Sequence, residues 1–222
     1  MTRLVIAIDG PSGSGKSTVG KAVARQLGYL YVDSGAVYRA VGLKALNVGA
    51  SLEDRATLAT IALEASIELQ GDPDHLRVLL DGHDVTSEIR LPAASRASSV
   101  VAAMPEVRDA VVQKLRDMSR ERGVVMDGRD IGTKVFPNAQ VKVFLDASLN
   151  VRARRRCEED RKRGREVSIE EVSAELEERD RRDTGRAATP LVKSPDAVFI
   201  DTSDLPLEAV IERVLEIVHS RS

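Results

Sequence analysis

Residues 10–17 read Gly10-Pro11-Ser12-Gly13-Ser14-Gly15-Lys16-Ser17 and fit the pattern G-x-x-x-x-G-K-[ST] without a mismatch. The string follows a short apolar run and precedes a segment with apolar residues at helical spacing, which is the context that this pattern requires. Its glycines allow the backbone to aim successive N–H groups inward, and the helix N-terminus adds partial positive charge there. The stretch therefore predicts a loop that cradles phosphate groups between a strand and a helix.

The residues of this loop have distinct expected tasks. Lys16 is expected to reach the β- and γ-phosphates of a nucleotide, and Ser17 is expected to help hold a magnesium ion. A glycine turn that merely links a strand to a helix is the alternative, and the flanking strand and helix argue against it. The residues predicted to bind ATP are Gly10, Pro11, Ser12, Gly13, Ser14, Gly15, Lys16, Ser17 and Thr18.

Outside the loop, short apolar runs alternate with longer amphipathic segments. This alternation is typical of an α/β fold with a doubly wound parallel sheet. Ligands gather at the carboxyl ends of the strands in such sheets, and each run here ends at or near an acidic residue. The five predicted strands are 4–9, 29–33, 124–127, 141–146 and 197–201, and three predicted helices are 16–27, 105–122 and 207–219.

One segment departs from this alternation. Residues 67–69 and 76–80 have the pattern of short strands around the turn-forming residues 71–74. Asp81-Gly82 then predicts a further tight turn. We therefore expect a small inserted unit over residues 65–100.

The overall composition limits the partners of the chain. Its 33 Lys and Arg residues nearly balance 35 Asp and Glu residues, so nothing favours a protein that coats nucleic acid or an anionic membrane. The single cysteine, Cys157, cannot form an internal disulfide. The first apolar run is too short for a signal segment or a membrane span. We expect a monomeric, cytoplasmic protein without a nucleic-acid or membrane partner.

A phosphate-binding loop alone leaves several classes of protein open. A GTPase would normally carry the string Asn-Lys-x-Asp, which does not occur in the sequence. A larger ATPase machine would need partner domains, for which 222 residues leave little room. A kinase needs only a second phosphate site that faces the first, so the rest of the chain must supply candidates for that site.

Two strings are candidates for the second site. Asp33-Ser34-Gly35-Ala36-Val37-Tyr38-Arg39 ends the second strand and opens its helix, where Arg39 is able to bind a phosphate as a planar fork. The alternative there is an N-cap at Ser34 with a solvated Arg39. Asp127-Gly128-Arg129-Asp130-Ile131-Gly132 follows the third strand, where Asp127 could orient magnesium. The alternative for this string is a turn stabilised by an internal Asp–Arg pair.

Two further segments are strongly charged. Residues 178–186 alternate in sign, which suits either a phosphate site or a surface ladder of salt bridges. The histidines His75, His83 and His219 are assigned no ligand or catalytic role. Arginines crowd onto a predicted helix and the loop around Gly164, where they form either a solvated face or a lid over phosphates: Arg152, Arg154, Arg155, Arg156, Arg161, Arg163 and Arg165.

Four strings together resemble the bacterial cytidylate kinases, and the resemblance covers nearly the whole chain. The inserted unit is similar to that of bacterial members and differs from the shorter eukaryotic UMP/CMP kinases. The strings that carry the resemblance are residues 10–18, residues 33–39, Asp127-Gly128-Arg129-Asp130-Ile131-Gly132-Thr133, Arg186-Ala187-Ala188-Thr189-Pro190-Leu191, and, in the insert, Asp81-Gly82-His83-Asp84-Val85-Thr86 and Glu88-Ile89-Arg90.

The resemblance implies an organisation and a role for each matching residue. It implies one kinase domain over 1–222, with an NMP-binding region at 35–100 and an arginine-rich lid at 152–168. The residues implied to bind CMP are Ser34 and Arg39 at the sugar and phosphate, Ser99, Arg108 and Asp130 at the cytosine ring, and Asp183 at the ribose. Those implied to contact phosphates or act in catalysis are Lys16, Arg129, Arg179 and Arg186, with Ser17 and Asp127 as candidate magnesium ligands.

The implied reaction moves the γ-phosphoryl group of ATP to CMP or dCMP. The acceptor oxygen is already anionic near neutral pH, so positioning and charge neutralisation matter more than a strong base. Two alternatives stay open. One is a small-metabolite kinase of the shikimate or gluconate type, which phosphorylates an alcohol. The other is a nucleotide-binding regulator that hydrolyses ATP slowly.

Overall fold

The structure is a computed structural model that describes residues 3–120, 122–162, 164–186 and 189–221. The strands in these ranges are β1 (Val5–Asp9), β2 (Leu30–Asp33), β3 (Ile67–Gln70), β4 (Arg77–Leu80), β5 (His83–Asp84), β6 (Val124–Gly128), β7 (Val141–Asp146) and β8 (Val198–Asp201). The α-helices are α1 (Lys16–Leu27), α2 (Ser34–Asn47), α3 (Arg55–Glu64), α4 (Pro92–Val101), α5 (Pro105–Met118), α6 (Leu149–Lys162), α7 (Ile169–Thr184) and α8 (Leu207–His219). A π-helical turn spans Ile131–Val135.

Five strands form one parallel sheet in the order β2-β6-β1-β7-β8. Helices α2 and α5 cover one face, against Val32 and Met126, and α1 and α8 cover the other, against Ile6 and Ile8. Both faces are buried, which explains why these strands are almost continuously apolar. The predicted doubly wound, five-stranded sheet is confirmed.

The strand order positions the phosphate-binding loop. Strand β6 lies between β1 and β2, so the segments that leave β1, β2 and β6 all open at one edge of the sheet. In doubly wound sheets a crevice forms at this edge, beyond the carboxyl ends of the strands. The loop at 10–15, the start of α2 and the turn after β6 therefore converge.

The predicted inserted unit contains a three-stranded antiparallel sheet in the order β3-β4-β5. Asp81 and Gly82 both have positive φ, 50° and 82°, which is the geometry of a tight hairpin turn. Leu76 is buried among the apolar residues of the α1 and α8 face, and Asp74 accepts from Arg25 at 2.9 Å. The insert therefore packs onto the main domain.

Helices α6 and α7 pack against each other around a small core of Ala153, Cys157, Val172 and Leu176. The α7 helix begins with a capping box, because the Ser168 hydroxyl accepts from the Glu171 amide at 3.1 Å and the Glu171 carboxylate accepts from the Ser168 amide. The arginine-rich segment thus forms one arm of a helical hairpin.

Several local expectations need correction or fall outside the structure. The helix that starts at Pro105 ends at Met118 and not at residue 122, because Ser119 closes it with a tighter bond from its amide to the Arg116 carbonyl. The sequence reasoning did not predict α3 or α4. Arg163, Ala187 and Ala188 lie outside the described residues. Within the described ranges, no helix combines the length and apolarity that a bilayer crossing needs.

Candidate active site

A cavity of about 890 Å³ opens at the carboxyl ends of β1, β2 and β6. Its walls include the phosphate-binding loop, the end of β6 and residues of α1, α2, α4, α5, α6, α7 and α8. Gly10 and Pro11 are the predicted site residues that do not line it. The predicted residues that it brings together are Ser12, Gly13, Ser14, Gly15, Lys16, Ser17, Thr18, Ser34, Arg39, Ser99, Arg108, Asp127, Arg129, Asp130, Arg179, Asp183 and Arg186.

The loop itself requires glycine at two positions. Gly10 has a φ of 148°, and a Cβ there would lie 1.9 Å from the Leu145 carbonyl oxygen. Gly13 has a φ of 81°, and a Cβ there would lie 3.0 Å from the Cβ of Arg152. Side chains at these positions would both strain the backbone and push the loop away from β7 and α6. The loop is thus held closely from behind while its other side faces the cavity.

Lys16 is held inside the curve of this loop. Its Nζ donates to the Pro11 carbonyl and to the Ser14 hydroxyl at 3.3 Å. Burial, together with the positive charge of Arg129, lowers the pKa of Lys16 to about 7. Bound phosphates would raise this pKa again because they favour the ammonium form. This geometry suits a lysine that binds an anionic ligand.

Asp127 at the end of β6 joins the loop to two strands. Its Oδ2 accepts from the Ser17 hydroxyl at 2.8 Å, and its Oδ1 accepts from the Tyr31 hydroxyl at 2.7 Å. Burial raises the pKa of Asp127 to about 6, and the nearby charge of Asp33 acts in the same direction. A bound cation at this position would therefore stabilise the ionised form of Asp127.

The Ser17–Asp127 pair fits a magnesium ion by the chemistry of its donors. A hydroxyl oxygen and a carboxylate oxygen are hard ligands of the kind that Mg²⁺ prefers. In the described ranges no group of three or more His, Cys, Asp or Glu side chains could hold a metal ion alone. This agrees with magnesium sites of kinases, which use few protein ligands and rely on substrate phosphates.

Asp33 and Arg39 form a half-buried ion pair at the start of α2. Asp33 caps the helix by accepting from the Ala36 amide at 2.9 Å, so the N-cap is Asp33 and not Ser34. Its other oxygen accepts from Nη2 of Arg39 at 2.8 Å. The Ser34 hydroxyl instead donates to the Asp127 carbonyl at 2.7 Å. Arg39 is therefore fixed beside the cavity rather than solvated.

Three arginines surround Asp183, which is 1% exposed. Arg129 donates through Nε to Oδ2 at 2.7 Å, and Arg186 donates to Oδ1. Burial alone would raise the pKa of Asp183, but the charges of Arg129, Arg186 and Arg179 together hold it below its ordinary value. Burial and the neighbouring charge of Arg129 lower the pKa of Arg179 to about 9. The cluster carries excess positive charge that an anionic ligand would offset.

A second buried ion pair lies where α5 faces the turn after β6. Arg108 is 2% exposed, donates to Oδ2 of Asp130, and donates through Nη1 to the Ala102 carbonyl at 2.9 Å. The Tyr38 ring lies 5.5 Å from the guanidinium carbon. Ser99 accepts from Nη1 of Arg182 at 3.2 Å. The pair offers a carboxylate acceptor and a guanidinium donor side by side.

The turn after β6 is not an internally paired turn. Arg129 pairs with Asp183 and Asp130 pairs with Arg108, and neither forms an ion pair with another residue of the turn in the described part of the chain. The alternative of an internal Asp–Arg pair is therefore wrong. Residues 127–130 instead bind partners from α1, α5 and α7.

The lid arginines have different environments. Arg152 is buried behind the phosphate-binding loop, where it donates to the Ser12 carbonyl at 3.2 Å and pairs with Asp180 at 2.7 Å. Arg155 lines the cavity and donates to the Thr202 hydroxyl at 2.9 Å. Arg156 also lines the cavity, whereas Arg154 and Arg161 are exposed. Neither a uniform solvated face nor a uniform lid describes the whole run.

The segment 178–186 likewise divides into two faces. Arg181 and Arg182 pair with Glu178 in partly exposed bridges, as in a surface ladder. Arg179, Asp183 and Arg186 face the cavity instead. The surface-ladder interpretation thus fits Arg181 and Arg182, and a phosphate site at Arg179, Asp183 and Arg186 stays a prediction.

Sequence reasoning missed several residues of the cavity and its supports. Tyr38 and Arg90 line the cavity, Arg182 contacts Ser99, and Tyr31 supports Asp127. Tyr38 stands next to Arg39 in a string that was already singled out, so its position gave a usable signal. The partner of Arg182 depends on how α7 packs on α4, for which no short sequence pattern exists.

Comparison with known proteins agrees with this geometry. A sequence model of the family described as "Cytidylate kinase" matches residues 6–220. The "Cytidylate kinase" of Caldanaerobacter subterraneus subsp. tengcongensis is 50% identical over 217 residues, 98% of this chain and 95% of that protein. That of Pelotomaculum thermopropionicum is 51% identical over 211 residues, 95% and 93% of the two chains. A solved shikimate kinase from Bacteroides thetaiotaomicron has a TM-score of 0.50 at 15% identity over 97% and 98%, which shows likeness of fold alone. The chain belongs to the cytidylate kinase family.

Proposed function

We propose that this chain transfers the γ-phosphoryl group of ATP to CMP, and to dCMP, to give ADP and CDP or dCDP. Membership of the cytidylate kinase family supports this activity. The observation that carries the proposal is that the Arg108–Asp130 pair lines the same cavity as Lys16. A phosphate-binding loop and a pair able to read a base therefore share one enclosure.

The donor nucleotide binds at the loop 10–18. Backbone N–H groups and Lys16 bind the β- and γ-phosphates. Ser17 and Asp127 would hold magnesium, which, when bound, neutralises charge on the phosphates. Lys16 needs no proton-transfer role, because its charge alone stabilises the oxygens that become more negative during transfer.

The acceptor phosphate binds between α2 and α7. Arg39 binds it from the α2 side, and Arg129, Arg179 and Arg186 converge on the transferring group from the other side. These arginines offset the repulsion between two anionic nucleotides, which otherwise prevents their approach in line. Ser34 and Asp183 bind the sugar of CMP, and binding releases part of the Asp183 contact with the arginines.

The base is selected by hydrogen-bond polarity. Asp130 accepts from the N4 amino group of cytosine, and Arg108 donates to N3 or O2, with Ser99 at the same ring. Uracil has an O4 acceptor where cytosine has its N4 amino donor, and an N3–H donor where cytosine has its N3 acceptor. Each mismatch leaves a buried polar group unpaired, at about 1–3 kcal/mol apiece.

The site closes by movement of two parts of the domain. The NMP-binding region at 35–100 encloses CMP, and the lid at 152–168 brings Arg155 and Arg156 over ATP. Closure excludes water, which would otherwise compete as the phosphoryl acceptor. The protein is proposed to act as a monomer.

A coupled assay of ADP formation tests this function. The purified protein is given ATP and magnesium with CMP, dCMP, UMP, AMP, GMP, shikimate, gluconate or no acceptor. We expect rapid ADP formation with CMP and dCMP and little without an acceptor. ADP formation that is fastest with an alcohol acceptor, or that ignores the acceptor altogether, would contradict the proposal and favour a metabolite kinase or a regulatory ATPase.

A further inference from the structure

Asp9, the last residue of β1, is a buried carboxylate for which the proposed mechanism has no use. It does not line the cavity, although it directly precedes the phosphate-binding loop. Its Oδ1 accepts from the Ile131 amide at 2.8 Å, and its Oδ2 accepts from the Gly132 amide at 2.8 Å. Both bonds are made to the residues that immediately follow Asp130.

These two amides need an external partner. They lie at the start of the π-helical turn Ile131–Val135, where the first N–H groups of any helical segment have no acceptor within the segment. Strand pairing sets Asp9 opposite Gly128, so its side chain reaches forward past the end of β6 to meet them. Asp9, at the end of β1, thus caps the turn that follows β6.

The turn has little freedom to settle elsewhere. A Cβ on Gly128 would lie 2.5 Å from the Ser34 hydroxyl and 2.6 Å from the Ile131 side chain. A Cβ on Gly132 would lie 3.1 Å from the Lys142 side chain and 3.4 Å from Oδ2 of Asp9. The backbone around Asp130 is therefore closely packed at these two glycines, and Asp9 supplies two hydrogen bonds to it from β1.

We infer that Asp9 is a positioning residue for base selection: by holding the Ile131 and Gly132 amides, it fixes the orientation in which Asp130 meets the cytosine ring. The inference rests on the proposed function, because it assumes that Asp130 reads the base. Asp9 acts through the backbone and touches no substrate.

The same contacts argue against a primary role in ATP binding. Both oxygens of Asp9 accept hydrogen bonds from the turn after β6. Asp9 acts on Lys16 through the interaction of the two charges. A substitution at Asp9 should therefore change recognition of the CMP base more than it changes the binding of ATP.

The test compares kcat/KM for CMP and UMP in the parent enzyme and in Asp9→Asn. The asparagine amide can accept from one of the two N–H groups but presents its own NH₂ donor to the other, which loosens the turn. We expect the CMP-to-UMP ratio to fall by about tenfold while KM for ATP changes less than about twofold. Asp201→Asn is the matched control, because Asp201 also ends a strand of the sheet, is exposed and accepts from the Ser203 amide at 2.8 Å.

Each outcome decides the inference. An unchanged ratio with equal losses for CMP and UMP would show that Asp9 is only structural, and a loss concentrated in KM for ATP would assign it to the phosphate-binding loop. Asp9→Ser is measured in the same way if Asp9→Asn does not fold. If the parent enzyme transfers phosphate to neither nucleotide, the proposed function fails, and calorimetric affinities for CMP and UMP replace kcat/KM. Parent affinities that do not favour CMP would then overturn the inference as well.

Discussion

The hydroxyl of Ser17 donates to Oδ2 of Asp127 at 2.8 Å, across 110 residues of sequence. The bond connects the first turn of α1 to the end of β6 and brings a hydroxyl and a carboxylate to one side of the phosphate-binding loop. Burial raises the pKa of Asp127 to about 6, although the hydrogen bonds from Tyr31 and Ser17 act in the opposite direction. A carboxylate kept in an unfavourable environment beside a phosphate site indicates a functional constraint.

We predict that Asp127→Asn lowers kcat by roughly 100-fold or more, because the amide cannot neutralise a magnesium ion. The variant should also need a higher magnesium concentration for half-maximal activity. Initial rates are measured with CMP and ATP over a magnesium titration. A variant with parental kcat and an unchanged magnesium requirement would remove Asp127 from the metal site.

Lys16→Ala is expected to lower kcat by about 100-fold or more while the fold stays intact. Within the described part of the chain, the Nζ of Lys16 donates to the Pro11 carbonyl and the Ser14 hydroxyl of its own loop, and Lys16 is not part of an apolar core cluster. Circular dichroism and thermal unfolding check the fold. Lys193→Ala is the control, because Lys193 is exposed and lies outside the cavity. A kcat within about threefold of the parent value would contradict the assignment of residues 10–18 as the ATP-binding loop.

The raised pKa of Asp9 predicts that the free energy of unfolding depends on pH, and it predicts the sign of that dependence. Burial raises its folded pKa from 3.8 to about 6, against the lowering effect of the Gly132 and Ile131 amides. The folded state then binds more protons than the unfolded state between these values, so this group reduces stability as pH rises through the window. Asn does not titrate. The free energy of unfolding of Asp9→Asn minus that of the parent should therefore increase by about 1 kcal/mol from pH 5 to pH 7.5.

Urea unfolding of both proteins at the two pH values measures this difference. Other titrating groups cancel in the comparison, apart from those that sense Asp9 itself, such as Lys16. A constant difference between the two proteins would mean that Asp9 ionises in the folded protein as it does in the unfolded chain.

The main sheet was predictable from sequence because its physical causes are local. Apolar runs of four to six residues, each ending near an acid, gave the parallel strands to within one residue, as with Val141–Asp146. Lys16–Leu27 and Leu207–His219 followed from helical spacing. Helix α4 was not predicted, because its sequence Pro92-Ala-Ala-Ser-Arg-Ala-Ser-Ser-Val-Val is poor in large apolar residues and its burial comes from packing on α2.

The site was predictable where a residue belongs to a contiguous string, and less so where its role depends on register. Arg39 and Asp130 lie within such strings, and the cavity includes both. Asp9 also stands beside a string, but its role requires the pairing of Asp9 with Gly128, which sequence alone does not give. Arg152 was grouped with the lid, yet its place behind the loop depends on the packing of α6 against Gly13.

Arg39→Ala should raise KM for CMP by about tenfold or more and change KM for ATP by less than about twofold. Arg39 lies at the α2 side of the cavity and is held there by Asp33 at 2.8 Å. In the proposed function, this is the side at which the phosphate of CMP binds. Arg25→Ala is the matched control, because Arg25 is exposed and pairs with Asp74 away from the cavity. The reverse pattern, with ATP affected and CMP spared, would put Arg39 on the donor side.

The last prediction concerns the choice between cytosine and uracil, which have nearly the same shape and opposite hydrogen-bond polarity. Asp130→Ala should narrow the ratio of kcat/KM values for CMP and UMP, chiefly by damaging CMP. The rings differ at two polar positions, and each mismatch with a buried partner costs about 1–3 kcal/mol, so the ratio can fall by roughly tenfold or more. This variant also leaves the buried Arg108 without its carboxylate, which lowers stability.

Asp130→Asn separates recognition from support. Its amide oxygen can still accept from Arg108, whereas its NH₂ group would face the N4 amino group of cytosine or the O4 oxygen of uracil. We therefore expect Asp130→Asn to fold, to lose activity on CMP and to gain on UMP relative to CMP, when kcat/KM is measured for both nucleotides at saturating ATP. If Asp130 serves only to hold Arg108, both substrates should suffer by the same factor in Asp130→Ala and neither should suffer much in Asp130→Asn. That result would refute direct reading of the base by Asp130, because a residue that reads polarity must change the ratio when its own polarity is reversed.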